Sequence, residues 1–279
     1  MRSVIFKDIK PSNALEEYVR KFQIFRFVFD TDVRPPVKFH TPRPEHSITF
    51  YVRDQQKFSH LNSDSVITYP RCIINGVYTN SIFRYGGHDF WALKIVLQPT
   101  FLSRLKCIPI SELTNNFINA EDVLGKEVSI TIEKLCLSDS LDAMIIIIEN
   151  FLINIIKKKN FSFNPFDRMC NYILKLDKNV SSDWLADQSC LSARQFIRKF
   201  ESEIGIRPKT FQKLIRIEKA FRMKNNFPES DWLNIAIACG YYDYQHLTKD
   251  FREFTSLSPT EFYEIEKKSP ERTFGFHEG

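Results

Sequence analysis

A chain of 279 residues with 43% hydrophobic and 14% aromatic side chains has room for about two domains and material for sizeable cores. Its net charge of +5 is too mild to argue for a nucleic-acid partner by itself. The most apolar stretch, Ala143 to Ile156, is broken by Glu149, Asn150 and Asn154, which excludes a bilayer span, and Met1 to Asp8 lacks the apolar run of a secretory signal.

Residues 1 to about 100 read as strand-rich. Ile48–Val52, Val66–Tyr69 and Phe90–Val96 are short β-branched and aromatic runs punctuated by Pro, Gly, Asn and Asp, which predicts a small antiparallel β-barrel or sandwich. From Thr100 onward the pattern turns helical. Leu141, Ile145, Ile148, Leu152 and Ile155 share one helix face, and residues 141–156 are expected to pack as a core helix or to form a homodimer seam. Lys157, Lys158 and Lys159 suit that helix's C-terminus. The boundary to a second domain is expected within residues 158–166.

The rest reads as helix throughout. Pro165 starts a helix expected to run through Leu176, and Ser181-Ser182 cap a short one carrying Leu185-Ala186. Ser192 and Gln195 form a capping box, Gly205 suits a left-handed stop, and Pro208 opens a long helix ending near Asn225-Asn226. Ser230-Asp231 start a helix stopped by Gly240, Asp243 caps the next, and Ser258, Pro259 and Glu261 begin another. The expected organisation is therefore residues 1–160, residues 165–268 and a tail at 269–279.

A degenerate repeat underlies this half. Phe196, Phe200, Gly205, Pro208 and Phe211 recur 51 residues later as Leu247, Phe251, Ser256, Pro259 and Phe262, and Leu185-Ala186 is echoed by Ile235-Ala236. Each copy reads as a helix-turn-helix, whose second helix enters the DNA major groove. In the first copy Phe196 and Phe200 face inward, leaving Arg194 and Arg198 four apart on another face. A bidentate arginine is the commonest reader of guanine. From Arg194 to Lys224, ten cations stand against Glu201, Glu203 and Glu218, the footprint expected of phosphate contact. The second copy offers Tyr244, Gln245, His246 and Lys249, but Asp243, Asp250 and Glu253 outnumber Lys249 and Arg252. The DNA-facing candidates are Ser192, Arg194, Gln195, Arg198 and Lys209, then Tyr244, Gln245, His246 and Lys249, with the first copy as principal reader.

Residues 165–265 resemble the DNA-binding domain of AraC/XylS-type transcription regulators. The resemblance rests on Leu185-Ala186, Ser192-x-Arg-x-Phe-x-Arg-x-Phe200, Gly205-x-x-Pro208, Arg216 and Ala220. In the second copy it rests on Ile235-Ala236, Gly240-Tyr-Tyr-Asp243, Leu247-x-x-x-Phe251 and Ser258-Pro259. It implies two helix-turn-helix units joined by a long helix. Cys190 and Ser256 stand where such regulators usually carry Gly in a turn, and Tyr263 where a basic residue is common. The segment from Ala92 to Pro99 through Glu112-Leu113 and Val123-Leu124 resembles the sensor half of such regulators, which implies a small β-barrel that binds an effector or dimerises.

The expected fold class is α+β: an N-terminal antiparallel β-barrel or sandwich with helices, then an all-α domain with two helix-turn-helix motifs. The expected function is a cytoplasmic, bacterial, sequence-specific transcription regulator whose partners are double-stranded DNA and a small-molecule effector, without catalytic residues. The alternative is a DNA-binding domain fused to a catalytic or metal-binding barrel. His40, His46 and His88 form no His-x-His pair with a following Glu, and are read as packed or surface residues. The six cysteines (Cys72, Cys107, Cys136, Cys170, Cys190, Cys239) show neither Cys-x-x-Cys nor zinc spacing, so reduced thiols, no metal and no cofactor are expected.

Overall fold

The computed structural model describes the chain except for residues 1–3, 62, 107, 139, 160–162, 177–178 and 278–279. Cys107 and part of the expected domain boundary lie outside the described residues. The strands are β1 (Ile5–Ile9), β2 (Val19–Val28), β3 (Val37–His40), β4 (Ser47–Tyr51), β5 (Lys57–His60), β6 (Ile67–Thr68), β7 (Cys72–Asn75), β8 (Ile82–Tyr85), β9 (Asp89–Leu97) and β10 (Phe117–Asn119). They form two antiparallel sheets, ordered β1-β2-β9-β4-β7-β10 and β3-β8-β5-β6, and neither closes into a barrel.

Two expectations change here. The run Val66–Tyr69 pairs over only two residues, β6, both exposed. The chain is not wholly helical after Thr100, because Phe117–Asn119 add an edge strand with Ile118 opposite Ile74. A three-residue strand is too short to carry a periodic signal.

Alternation along the central strands gives the large sheet two different faces. Phe22 and Ile24 of β2, Ile48 and Phe50 of β4, and Leu93 and Ile95 of β9 point to one side. That side is covered by helices α1 (Phe101–Leu105), α2 (Ala120–Leu124), α3 (Glu127–Cys136) and α4 (Leu141–Lys159). Phe50 meets Phe151 of α4 edge-on at 5.4 Å. The intervening residues Phe25, Phe27, Thr49, Tyr51, Ala92 and Lys94 point toward the small sheet and line the space between the two.

The helical half comprises α5 (Pro165–Ile173), α6 (Ser182–Gln188), α7 (Ala193–Ile204), α8 (Pro208–Asn226), α9 (Trp232–Ala238), α10 (Tyr244–Thr255), α11 (Pro259–Glu266) and α12 (Pro270–Thr273). The helix expected to reach Leu176 stops at Ile173. The repeated aromatics converge in one core, with Phe196, Phe200, Phe211, Phe221, Phe251 and Phe262 all buried. Each such ring contributes about 1.5–3 kcal/mol on leaving water. The halves touch in several places among the described residues. Phe39 of β3 packs on Phe262 at 5.6 Å, and the Ser81 N–H donates to the Phe254 carbonyl at 3.2 Å. At another place His46 Nε2 lies 3.1 Å from the Ile204 carbonyl, and Thr114 Oγ1 donates to the Gly205 carbonyl at 2.9 Å.

Candidate nucleic-acid interface

The first motif is α6, a turn, then α7. Cys190 takes a left-handed φ of 56° in that turn. The Gln195 N–H donates to Ser192 Oγ at 3.3 Å, and the Ser192 N–H donates to Gln195 Oε1 at 3.0 Å, closing the expected capping box. Ser192 and Gln195 are thus exposed at the recognition-helix N-terminus but already engaged with each other. One turn along, Arg194 and Arg198 are exposed, and neither has a hydrogen-bond or ion-pair partner among the described residues. Burial of Phe196, Phe200 and Ile204 on the opposite side of α7 aims these two guanidinium groups outward.

The second motif is α9, a turn, then α10. Asp243 caps α10 by accepting from the His246 N–H at 2.7 Å. Gln245, His246, Lys249 and Arg252 are exposed, and Tyr244 is half-buried. Arg252, absent from the expected contacts, joins Tyr244, Gln245, Thr248 and Lys249 on one open surface hollow.

The charge on α10 differs from its sequence tally. Asp250 points inward, where Arg216 of α8 meets it at 2.9 Å and Lys213 at 3.3 Å. Lys213 also meets Glu253 at 2.6 Å. Burial works against the charge of Lys213, but the Glu253 hydrogen bond and the Asp250 charge outweigh it and hold its pKa above the usual lysine range. Arg216 further lies 4.3 Å from the Tyr241 ring centre. Asp250 is therefore a structural partner of the joining helix, its charge balanced by Arg216 and Lys213.

The joining helix brings the two motifs to one cleft of about 500 Å³, where Lys209 from α8 stands with His246 and Lys249 from α10. Gln212 fixes the entrance of α6 to α8, accepting from the Val180 N–H at 2.9 Å and donating to its carbonyl at 3.2 Å. Lys209 and Lys249 have no partner among the described residues. Of the expected contacts, Ser192, Arg194, Gln195 and Arg198 lie on α7 or its cap, Lys209, His246 and Lys249 around the cleft, and Tyr244 and Gln245 beside Lys249 on the hollow.

Sequence reasoning missed a second concave feature, the cavity between the sheets. Phe6, Phe25, Phe27, Phe29 and Phe90 line its apolar part, while Lys38, His40, Arg43, Arg84 and Lys94 line the rest. Lys94 is buried and paired with Glu45. Burial pushes its pKa down to about 8 against the opposing pull of Glu45. Burial, with Arg84 and Arg43 nearby, keeps His40 neutral well below its ordinary range. Lys38 pairs with both Glu266 and Glu271. Burial pushes Glu266 up to about 7, Lys38 opposing and Glu271 reinforcing. The available signal was Lys94, a lone cation inside the apolar run Phe90–Val96. Among the described residues, no three or more His, Cys, Asp or Glu gather as a metal site. No helix among them is long and apolar enough to cross a membrane.

The helix-turn-helix domain family matches residues 185–264. An uncharacterized HTH-type transcriptional regulator of Haemophilus influenzae is 29% identical over 100 residues, covering 34% of this chain and 33% of that protein. The HTH-type transcriptional regulator MtrA of Neisseria gonorrhoeae is 26% identical over 99 residues, again 34% and 33% of the two chains. The chain thus spans about a third of the length of the curated relatives it matches. Among solved structures, apo ToxT from Vibrio cholerae is similar with a TM-score of 0.48 and 12% identity, over 88% of this chain and 97% of that one. Residues 185–264 of this chain are a helix-turn-helix domain.

Proposed function

We propose that this chain is a sequence-specific transcription regulator, in which residues 165–268 bind double-stranded DNA and residues 1–160 receive a small-molecule effector. The observation that carries the reading is the set of exposed cations without a partner among the described residues, Arg194 and Arg198 on one recognition helix and Lys209 and Lys249 around the cleft leading to the other. Arg194 and Arg198 read base edges, Lys209 and Lys249 hold phosphates, and Gln245 and His246 contact the second groove segment. Ser192 and Gln195 present the N-terminus of α7 to the backbone, and Tyr244 flanks the contact. Fluorescence anisotropy on duplexes from the chain's own upstream region tests this. Binding that weakens steeply with salt and differs between sequences is expected, and binding indifferent to both would overturn it. A cytoplasmic location and a bacterial origin fit such a role, which requires no catalytic residue, metal or cofactor.

A homodimer through residues 141–156 is a second element of the reading. Ile146 on α4 is 59% exposed, and Ile130 and Leu137 on and beside α3 are 48% and 82% exposed, an apolar surface suited to a second copy. Ile146→Glu should convert a dimer to a monomer in sedimentation equilibrium. A wild-type chain that stays monomeric throughout the concentration range would remove this element.

A further inference from the structure

The cavity between the sheets measures about 80 Å³, room for a few water molecules, whereas pockets for drug-sized ligands span roughly 300–1,000 Å³. Its surroundings are occupied by residues 270–276 of the chain itself. Phe274 lies parallel to Phe27, with ring centres 5.7 Å apart at 4°, and meets Phe29 at 5.2 Å. Phe276 stacks on Phe6 at 5.9 Å. Glu271 forms part of the cavity wall and pairs with Lys38, which also holds Glu266 at the end of α11. Behind this contact Arg272 donates to Asn225 at the end of α8, and the Phe276 N–H donates to the Glu271 carbonyl at 3.0 Å, closing the segment into a hook.

We propose that residues 270–276 are a built-in ligand for this cavity, which a free carboxylate carrying a flat apolar body displaces. The hook itself specifies that chemistry, placing a carboxylate on Lys38 and an aromatic ring against Phe27 and Phe29. One lysine serves two buried carboxylates, so withdrawal of Glu271 leaves the Lys38–Glu266 pair intact and relieves a like-charge contact. The segment is also fastened to α8 through Arg272. Its release therefore loosens a tie between the sheet half and the helix that joins the two DNA-binding motifs. This inference rests on the reading of residues 1–160 as the effector-binding half.

Calorimetric titration of naphthoate into the full chain and into its Glu271→Gln, Phe274→Ser, Phe276→Ser variant tests it. Binding to the variant should be about tenfold tighter, as expected if the hook leaves the site open about a tenth of the time. A peptide of residues 268–277 should bind the variant and compete with naphthoate. Phe274→Ser alone, which leaves the Lys38 pairs untouched, should shift affinity the same way by less, and cooperative thermal unfolding establishes that each variant is folded. Equal naphthoate affinity in both chains, or no peptide binding to the variant, would overturn the hook. Peptide binding without naphthoate binding to either chain would retain the hook and remove the small carboxylate as its competitor.

Discussion

Cys190, in the turn before α7, and Ser256, at the end of α10, both adopt left-handed backbone, at φ of 56° and 62°. The helix-turn-helix geometry is thus kept by packing on either side, at a local cost. A non-glycine residue in this region costs about 1–2 kcal/mol, and glycine returns about 0.5–1 kcal/mol of that as chain entropy. Cys190→Gly should accordingly stabilise the chain by up to about 1 kcal/mol, read as a higher urea midpoint at constant m-value. A lower midpoint would show that the thiol contributes packing that outweighs the strain. Different logic separates two exposed cations. Arg194→Ala should cost about 1–3 kcal/mol on the preferred duplex and less on altered ones, narrowing discrimination. Lys209→Ala should weaken all duplexes alike and reduce the slope of log affinity against log salt by about 0.9. Anisotropy titrations across salt concentrations distinguish the two, and an identical response would remove the assignment of distinct roles.

The end of α7 shows how closely one recognition helix is tied to the sheet half. Gly205 takes φ of 91°, and a Cβ there would lie 2.6 Å from Thr114 Oγ1 and 3.2 Å from the Ile110 carbonyl. Gly205→Ala should destabilise the chain by about 2 kcal/mol through strain and overpacking together. Adding Thr114→Ala should recover only part of that loss, because the backbone strain and the Ile110 contact remain. A double-mutant cycle by thermal unfolding measures the coupling, and strict additivity would place the damage in the turn alone. Much of the helical half was legible because its signals are local: Ser192 with Gln195, Ser258 with Glu261, Asp243 before α10, and Gly205 after α7 each lie within a turn of what they cap. The sheet half was less so. The ten residues of β2 interleave Arg20, Lys21, Gln23 and Arg26 with apolar side chains, and their pairing with β9, Phe22 opposite Ile95, spans a long stretch of chain. The inward turn of Asp250 escaped a charge tally for the same reason, since its partners Arg216 and Lys213 belong to another helix. The cavity was illegible because its cations come from three strands of two sheets and the loop after β3.

The contacts joining the two halves carry opposed pH dependences. His46 sits between the Pro99 and Ile204 carbonyls, 3.1 Å from each. Burial lowers its pKa from 6.5 to about 4, with the two carbonyls and Glu45 opposing. Its contribution is present above pH 6.5 and is lost as pH falls from there through about 4, a span worth about 3 kcal/mol. Glu266 behaves in reverse. Burial raises its pKa from 4.5 to about 7, with Lys38 opposing and Glu271 reinforcing. Its contribution is present below pH 4.5 and is lost as pH rises through about 7, again about 3 kcal/mol. Glu271, on the same lysine, is held below its usual range: burial opposes the shift, and the Lys38 charge and hydrogen bond outweigh it. Between pH 4.5 and 6.5 the slopes of His46 and Glu266 largely cancel, and His40, also held neutral by burial, adds a slope of the His46 sign, so the unaltered chain should gain stability as pH rises there. Each replacement should remove one slope from that balance. Glu266→Gln should make stability rise more steeply with pH across this window, and His46→Gln should make it rise less. Chemical denaturation at closely spaced pH values measures both slopes. Parallel profiles for the two variants would mean that neither buried group titrates as its surroundings require.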